Sequence, residues 1–216
     1  MKTNIPPLQA ESYYHVYNRG INGENIFPEE RNYQYFLDKY QQFVAPVADL
    51  LAYCLLKNHF HFLIRTKSES IIAAWESSRR QELQPSGPPR NYTASESISR
   101  AFASFFKSYA QSVNLAYSRT GALFEEPFRR IEVSSDSYLS QLVQYIHLNP
   151  QTHGFVDDFR TYSHSSYQTI LNSETNSPDQ NTILDWFGGR DSYIQFHLNN
   201  KEFELKGRLP FEGSLP

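Results

Sequence analysis

The run Leu55-Leu56-Lys57-Asn58-His59-Phe60-His61-Phe62-Leu63-Ile64 constrains the fold more than any other part of the chain. It is apolar and alternating, yet it carries histidines at i and i+2. A strand has a side-chain period of two, so His59 and His61 project from the same face. Side chains two apart lie roughly 6.5–7 Å apart at the backbone, a span from which two imidazoles converge on one ion. Phe60, Phe62 and Ile64 between and beyond them are core material. Two polar rings facing one way in a segment that otherwise reads as core point to a metal. The plainer alternative is a pair of hydrogen-bonded strand histidines.

The chain of 216 residues is 39% hydrophobic and 20% charged, enough for one sizeable core. Its single cysteine, Cys54, excludes a disulfide within the chain and suits a reducing cytosol. No apolar h-region opens the sequence, and no window approaches the ~20 apolar residues of a membrane span. These features predict a cytoplasmic protein without a membrane partner. The net charge of −3 does not advertise a nucleic-acid binder. Its distribution is uneven: residues 79–130 carry eight basic against four acidic side chains, and residues 131–216 carry five against eleven. A positive central segment is a candidate phosphate-binding surface, or a chance cluster on solvated faces. The 15 tyrosines and 16 phenylalanines supply core packing and stacking platforms for bases.

Periodicity and turn residues predict a strand over Ser12–Arg19, with a turn at Gly20–Gly23. A helix follows over Pro28–Val44, opened by Pro and two Glu. Val47–Leu56 and His59–Arg65 read as two strands joined tightly at Lys57-Asn58. Ile71–Leu83 and Ser95–Tyr117 read as helices, the second ended by Gly121. Between them, residues 84–92 hold three prolines and a glycine and read as a loop or insertion. Leu123–Val133 reads as an edge strand because it contains Pro127. Ser134-Ser135-Asp136 caps a last core helix that runs to Leu148 and stops at Asn149-Pro150. Four strands interleaved with helices predict an α+β fold: a ferredoxin-like split β-α-β sandwich with helices packed on an antiparallel sheet.

That last helix holds the rest of the candidate site. Tyr145 and Asn149 are i and i+4, so they share a face, while Leu139, Leu142, Val143 and Ile146 lie opposite. A phenol and an amide oxygen on one helix edge can be aimed together at an ion on an adjacent sheet. Tyr138, two turns earlier, is the rival phenol. Asn149 also has a simpler explanation as a helix cap before Pro150. His147 points away from the Tyr145 edge and reads as structural; His15 on the first strand stands open as a supporting residue.

Asn58-His59-Phe60-His61, Tyr145-Ile146-His147-Leu148-Asn149-Pro150 and Tyr162-Ser163-His164-Ser165-Ser166-Tyr167 together resemble the signature of single-tyrosine HUH transposases, with REP-associated tyrosine transposases the nearest branch. The resemblance spans roughly Tyr13 to Tyr167. It implies a catalytic domain over residues 1–167, carrying the proline-rich insertion, and an acidic extension over 168–216. It implies His59, His61 and Asn149 as ligands of Mg²⁺ or Mn²⁺, and Tyr145 as nucleophile. The insertion-sequence branch commonly has Gln at the third ligand position; Asn149 is shorter. The implied reaction nicks and rejoins single-stranded or hairpin DNA through a 5′-phosphotyrosine intermediate, by a monomer or homodimer. A phenol with pKa near ~10 is a poor nucleophile at neutral pH, so it needs a polarised target, which a divalent ion supplies. Arg19, Arg129 and Arg130 are candidate DNA contacts, with ordinary surface arginines as the plain reading.

Two rivals stand beside this reading. One is a catalytically inactive nucleic-acid-binding relic of the same fold. The other is a metal-dependent phosphoesterase. His-x-His also occurs in amidohydrolases, but those need a barrel of about 250 residues, longer than this chain.

Overall fold

The structure is a computed structural model that describes residues 6–83, 91–172 and 183–199. Its sheet is built from β1 (Tyr13–Arg19), β2 (Ala48–Leu56), β3 (His59–Thr66) and β4 (Arg129–Val133) in the order β2-β3-β1-β4. Every neighbouring pair is antiparallel. This is the split β-α-β plan: β3 separates β1 from β2, and β1 separates β3 from β4. The helices are α1 (Glu30–Phe43), α2 (Glu69–Leu83), α3 (Ala94–Ala116), α4 (Asp136–Thr152), α5 (Tyr167–Leu171) and α6 (Arg190–Leu198). Among the described residues no helix is long and apolar enough to cross a membrane.

Strand alternation divides the core in two. Tyr14, Val16, Phe60, Phe62 and Ile64 face α1 and α3, where they meet Phe36, Tyr40, Phe102, Phe105 and Tyr109. Ala52, Cys54, Leu56 and Leu63 face the other way, against Leu139, Leu142, Val143 and Ile146 of α4. A register shift between Leu50 and Ala52 turns Leu51 and Ala52 both toward the α4 side. Helices therefore cover both faces of the sheet, and the β3 histidines lie between layers.

Local chemistry sets the helix ends. Glu29 and Asn32 form a capping box at α1, with the Glu29 N–H donating to Asn32 Oδ1 at 2.7 Å, so the helix starts two residues after Pro28. Thr93 and Glu96 form another at α3. That helix ends at Ala116, because Ser118 already takes φ of 51°; the expected stop at Gly121 lies five residues further on.

Two expectations are corrected. The strand expected over Leu123–Val133 is confined to Arg129–Val133. Pro127 has no N–H for the ladder, and the preceding segment hooks onto the end of β1 instead. Phe124 bridges to Gly20, and the Glu125 N–H donates to Arg19 O at 2.9 Å. The helix expected to stop at Leu148 continues through Pro150 to Thr152. Pro150 lies in the last turn, where its missing N–H forfeits one bond. The carbonyls of Asn149 and Pro150 both find donors, from His153 N–H (3.0 Å) and Phe155 N–H (2.8 Å).

Most of the proline-rich insertion lies outside the described residues. Of the 168–216 extension, the described part packs onto α4: Ile170, Leu171, Ile183 and Tyr193 belong to the same apolar cluster.

Phe36 is the hub of the first core. Its ring centroid lies 4.6 Å from Phe105, 4.7 Å from Tyr109, 5.1 Å from Phe60 and 5.2 Å from Phe27. Phe36→Ala is expected to cost about 3–5 kcal/mol in urea unfolding. Leu115→Ala, at a side chain 86% exposed, should cost under about 0.5 kcal/mol. Equal losses at the two positions would refute this assignment of the core.

Candidate active site

His59 and His61 are buried on the α4 side of β3 because Phe60 and Phe62 take the other side. Their ring centroids lie 5.3 Å apart at 89°. On the neighbouring strand, Tyr17 pairs with His61 and Arg19 with His59. Asn58 Oδ1 lies 2.8 Å from His59 Nδ1. An amide oxygen only accepts, so the His59 proton is on Nδ1 and Nε2 carries the lone pair. His61 Nδ1 contacts His15 Nε2 at 3.0 Å.

Burial keeps these rings uncharged. His15 is pushed down to about 3 by desolvation alone. Desolvation also pushes His59 down to about 3, helped by the nearby charges of His153 and Arg19. His61 falls well below the ordinary histidine range, through burial first and then His15, His59 and His153. A neutral imidazole is the form that ligates a metal.

Helix α4 brings the rest. Ser135 caps its start, its Oγ accepting from Tyr138 N–H at 3.4 Å. Tyr145, Asn149 and His153 follow at spacings of four, forming one stripe. The Tyr145 ring lies edge-on to His61 (5.4 Å, 85°) and to His15 (6.0 Å, 80°). The His153 ring lies 5.3 Å from His59. Asn149 stands between them, 1% exposed, with Nδ2 donating to Tyr145 O at 2.9 Å. Its Oδ1 has no hydrogen-bond partner among the described residues, and neither has His61 Nε2. Leaving such buried atoms unsatisfied costs about 1–3 kcal/mol each.

Asn149 is not a helix cap, since α4 runs past it and His153 is the capping residue. Among the described residues no three His, Cys, Asp or Glu side chains form a group able to hold a metal ion. The donor set that fits a hard or borderline divalent ion is mixed: two neutral imidazoles and the orphaned amide oxygen of Asn149.

The candidate arginines divide between two faces. Arg19 shares the His59 face and forms an ion pair with Glu125. Arg129 pairs across strands with Tyr17, and its charge opposes the burial that raises the Tyr17 phenol. Arg130 points to the opposite face, where it donates to Pro6 O and covers the Phe128 ring at 5.1 Å. Tyr138 lies near Tyr17, its phenol adding to the rise of the Tyr17 pKa. His147 is structural as expected, buried with Nε2 2.8 Å from Ser166 Oγ and Nδ1 3.0 Å from His197 Nε2.

Sequence reasoning missed His153. Its signal is the spacing of four from Asn149, legible only once the helix is carried through Pro150.

No protein-family model matches the sequence, and no curated protein does. Among solved structures the fold is similar to that of a REP-associated tyrosine transposase bound to a REP hairpin. The TM-score is 0.55 at 11% identity, over 83% of this chain and 90% of that one. At that identity the likeness is one of fold.

The buried histidines make stability depend on pH. An unfolded histidine titrates near ~6.5, whereas burial pushes folded His15 and His59 down to about 3. Between those values the unfolded chain binds more protons, so stability falls as pH drops below ~6.5. Each such ring removes up to about 1.4 kcal/mol per pH unit. Urea unfolding from pH 8 to pH 5 should show a plateau and then a steep decline. A flat profile would mean that the rings charge without penalty in the folded protein.

Proposed function

We propose that this chain is a metal-dependent DNA strand transferase of the single-tyrosine HUH type. Its substrate is single-stranded or hairpin DNA, and it works through a 5′-phosphotyrosine intermediate. One observation carries the reading: the Tyr145 ring lies against His61, in a site where His61 Nε2 and Asn149 Oδ1 have no hydrogen-bond partner. The fold likeness to a transposase bound to a hairpin supports the substrate class.

Tyr145 Oη attacks a backbone phosphorus. The new P–O bond to tyrosine forms as the P–O3′ bond breaks, the phenolic proton passes to water, and the departing oxygen takes up a proton as a 3′-hydroxyl. The phosphotyrosine keeps the phosphodiester energy, so another 3′-hydroxyl reverses the step without a nucleotide cofactor. His59, His61 and Asn149 would hold the cation, two through neutral ring nitrogens and one through the amide oxygen. A bound Mg²⁺ or Mn²⁺ supplies Lewis-acid polarisation of a non-bridging phosphate oxygen. Neutral ligands leave its double charge undiminished. Asn149 is oriented for this by its own Nδ2 bond to the Tyr145 carbonyl, which ties the amide to the nucleophile's turn. Arg19 and Arg129 flank the same face as candidate phosphate contacts.

The rival is a binding relic of the same fold, and one observation favours it: Tyr145 is only 8% exposed. The two readings separate in one experiment. The protein is incubated with single-stranded hairpin oligonucleotides and Mn²⁺, and covalent adducts are resolved on denaturing gels. Wild-type protein should form an adduct, and Tyr145→Phe should lose it by roughly a thousandfold or more while still binding. Tyr138→Phe should keep it. An adduct that survives in Tyr145→Phe removes Tyr145 from the role. Hairpin binding without any wild-type adduct hands the protein to the relic reading.

A further inference from the structure

His15 lies on β1, next to β3, and its buried ring meets that of His61 edge to edge, the centroids 5.2 Å apart and the planes within 20°. Their contact through His15 Nε2 and His61 Nδ1 admits two arrangements of one proton. In the first, His61 donates from Nδ1 and its Nε2 keeps a lone pair; His15 then carries its proton on Nδ1. In the second, His15 donates from Nε2, and the His61 proton is forced onto Nε2, where it blocks ligation. Neither outer atom, His61 Nε2 or His15 Nδ1, has a hydrogen-bond partner among the described residues. The protein itself therefore satisfies neither arrangement over the other, and a cation at His61 Nε2 selects the first.

We propose that His15 is a positioning residue: by accepting from His61 Nδ1–H it fixes the His61 ring and directs the Nε2 lone pair at the cation. The inference rests on the strand-transfer reading of the site. Metal-bound histidines generally give their second N–H to a carboxylate, a carbonyl or water. A neutral imidazole in that place orients the ring without adding negative charge near the ion. The His15 ring also stacks on Tyr17 (4.8 Å) and meets Tyr145 edge-on, so it packs among the same two phenol rings that contact His61.

From the first arrangement loading would move no proton; from the second it would redistribute protons within the pair. His61 Nε2 gives up its proton, the shared proton moves from His15 Nε2 to His61 Nδ1, and His15 Nδ1 gains one. No proton is gained or lost overall.

The test is Mn²⁺ titration of the full chain by calorimetry, on wild type, His15→Gln, His15→Met and His61→Ala. Urea unfolding midpoints are measured alongside. Gln offers an oxygen acceptor at a reach similar to His15 Nε2; Met fills the volume without one. His15→Met should weaken Mn²⁺ binding by about 10–100-fold. His15→Gln should stay near wild type, and His61→Ala should bind weakest. In wild type, ¹⁵N spectra of the imidazoles under Zn²⁺, as the diamagnetic probe, should report a protonated His61 Nδ1. Met binding as tightly as wild type overturns the proposal, as does equal loss in Gln and Met in step with lower unfolding midpoints. Wild type that binds no Mn²⁺ sinks the metal site of the strand-transfer reading, and this inference with it. The two failures are thus distinct.

Discussion

Helix α4 lies across three buried imidazoles, and the apolar contact that holds it there is what the rest of the molecule depends on. Leu139, Leu142, Val143 and Ile146 press on Ala52, Cys54 and Leu63. Burying an aliphatic side chain contributes roughly 1.5–3 kcal/mol. That gain offsets the cost of enclosing His15, His59 and His61 beside an amide oxygen with no hydrogen-bond partner. A sheet with one open face needs no such compensation, because water satisfies its polar side chains. Here the second layer excludes water, lowers the histidine pKa values, and brings Tyr145 against His61 by the same contact. Stability and site geometry are two results of one packing decision.

The outer side of α4 is fastened by a hydrogen-bonded chain. His197 Nδ1 faces the Tyr193 carbonyl at 2.8 Å, so it donates there and its Nε2 accepts. His147 Nδ1 then donates to His197 Nε2, and His147 Nε2 accepts from Ser166 Oγ. Ser166 Oγ accepts in turn from the Tyr53 N–H of β2 at 2.9 Å. These bonds fix the tautomers of both histidines, and both rings are neutral, in keeping with their lowered pKa values. The contrast with the inner side is informative. Where α4 meets α6 the polar atoms are satisfied; where it meets β3, buried acceptors are left over. A fold that can complete one network and leaves the other open has a reason for the opening, and a ligand is that reason in the strand-transfer reading.

How much of this was legible in the sequence depends on the range of the interaction. The His59/His61 pair was readable because a period of two is local to one strand. The antiparallel sheet with helices packed on it was readable from the alternation of elements. His15 was a different case: its role needs β1 beside β3, a long-range pairing that no local pattern encodes. Pro150 misled because a proline rule is statistical at the end of a helix, where one lost N–H bond is cheap and neighbouring carbonyls find other donors. The helix end at Leu148 hid His153. Pro127 carried a true signal read too weakly, since it removes its own neighbours from the ladder rather than merely marking an edge. Arg129 and Arg130 cannot share a face if both lie in a strand, and Ile131 and Val133 in the α4 cluster identify Arg129 as the one on the site's side.

The same parity argument changes the meaning of the basic segment 79–130. Its arginines disperse in the fold. Arg100 pairs with Glu76 at 2.9 Å, Arg119 pairs with Glu24, and Arg130 is spent on Pro6 O. Arg79 lies over Trp75 in the α2–α3 layer, beyond the sheet from the histidines. Arg129 of that segment is brought to the site's face, where Arg19 of β1, itself ion-paired with Glu125, also lies. Arg79, Arg100, Arg119, Arg129 and Arg130 therefore do not gather into one cationic surface. In the strand-transfer reading, attraction for the phosphodiester has to come from few charges close to the chemistry: two arginines on the strand ends and an ion held by neutral ligands. That economy is consistent with the net charge of −3. It is also why the neutrality of His59, His61 and His15 matters, because any ligand carboxylate would cancel part of the small positive field that the site has.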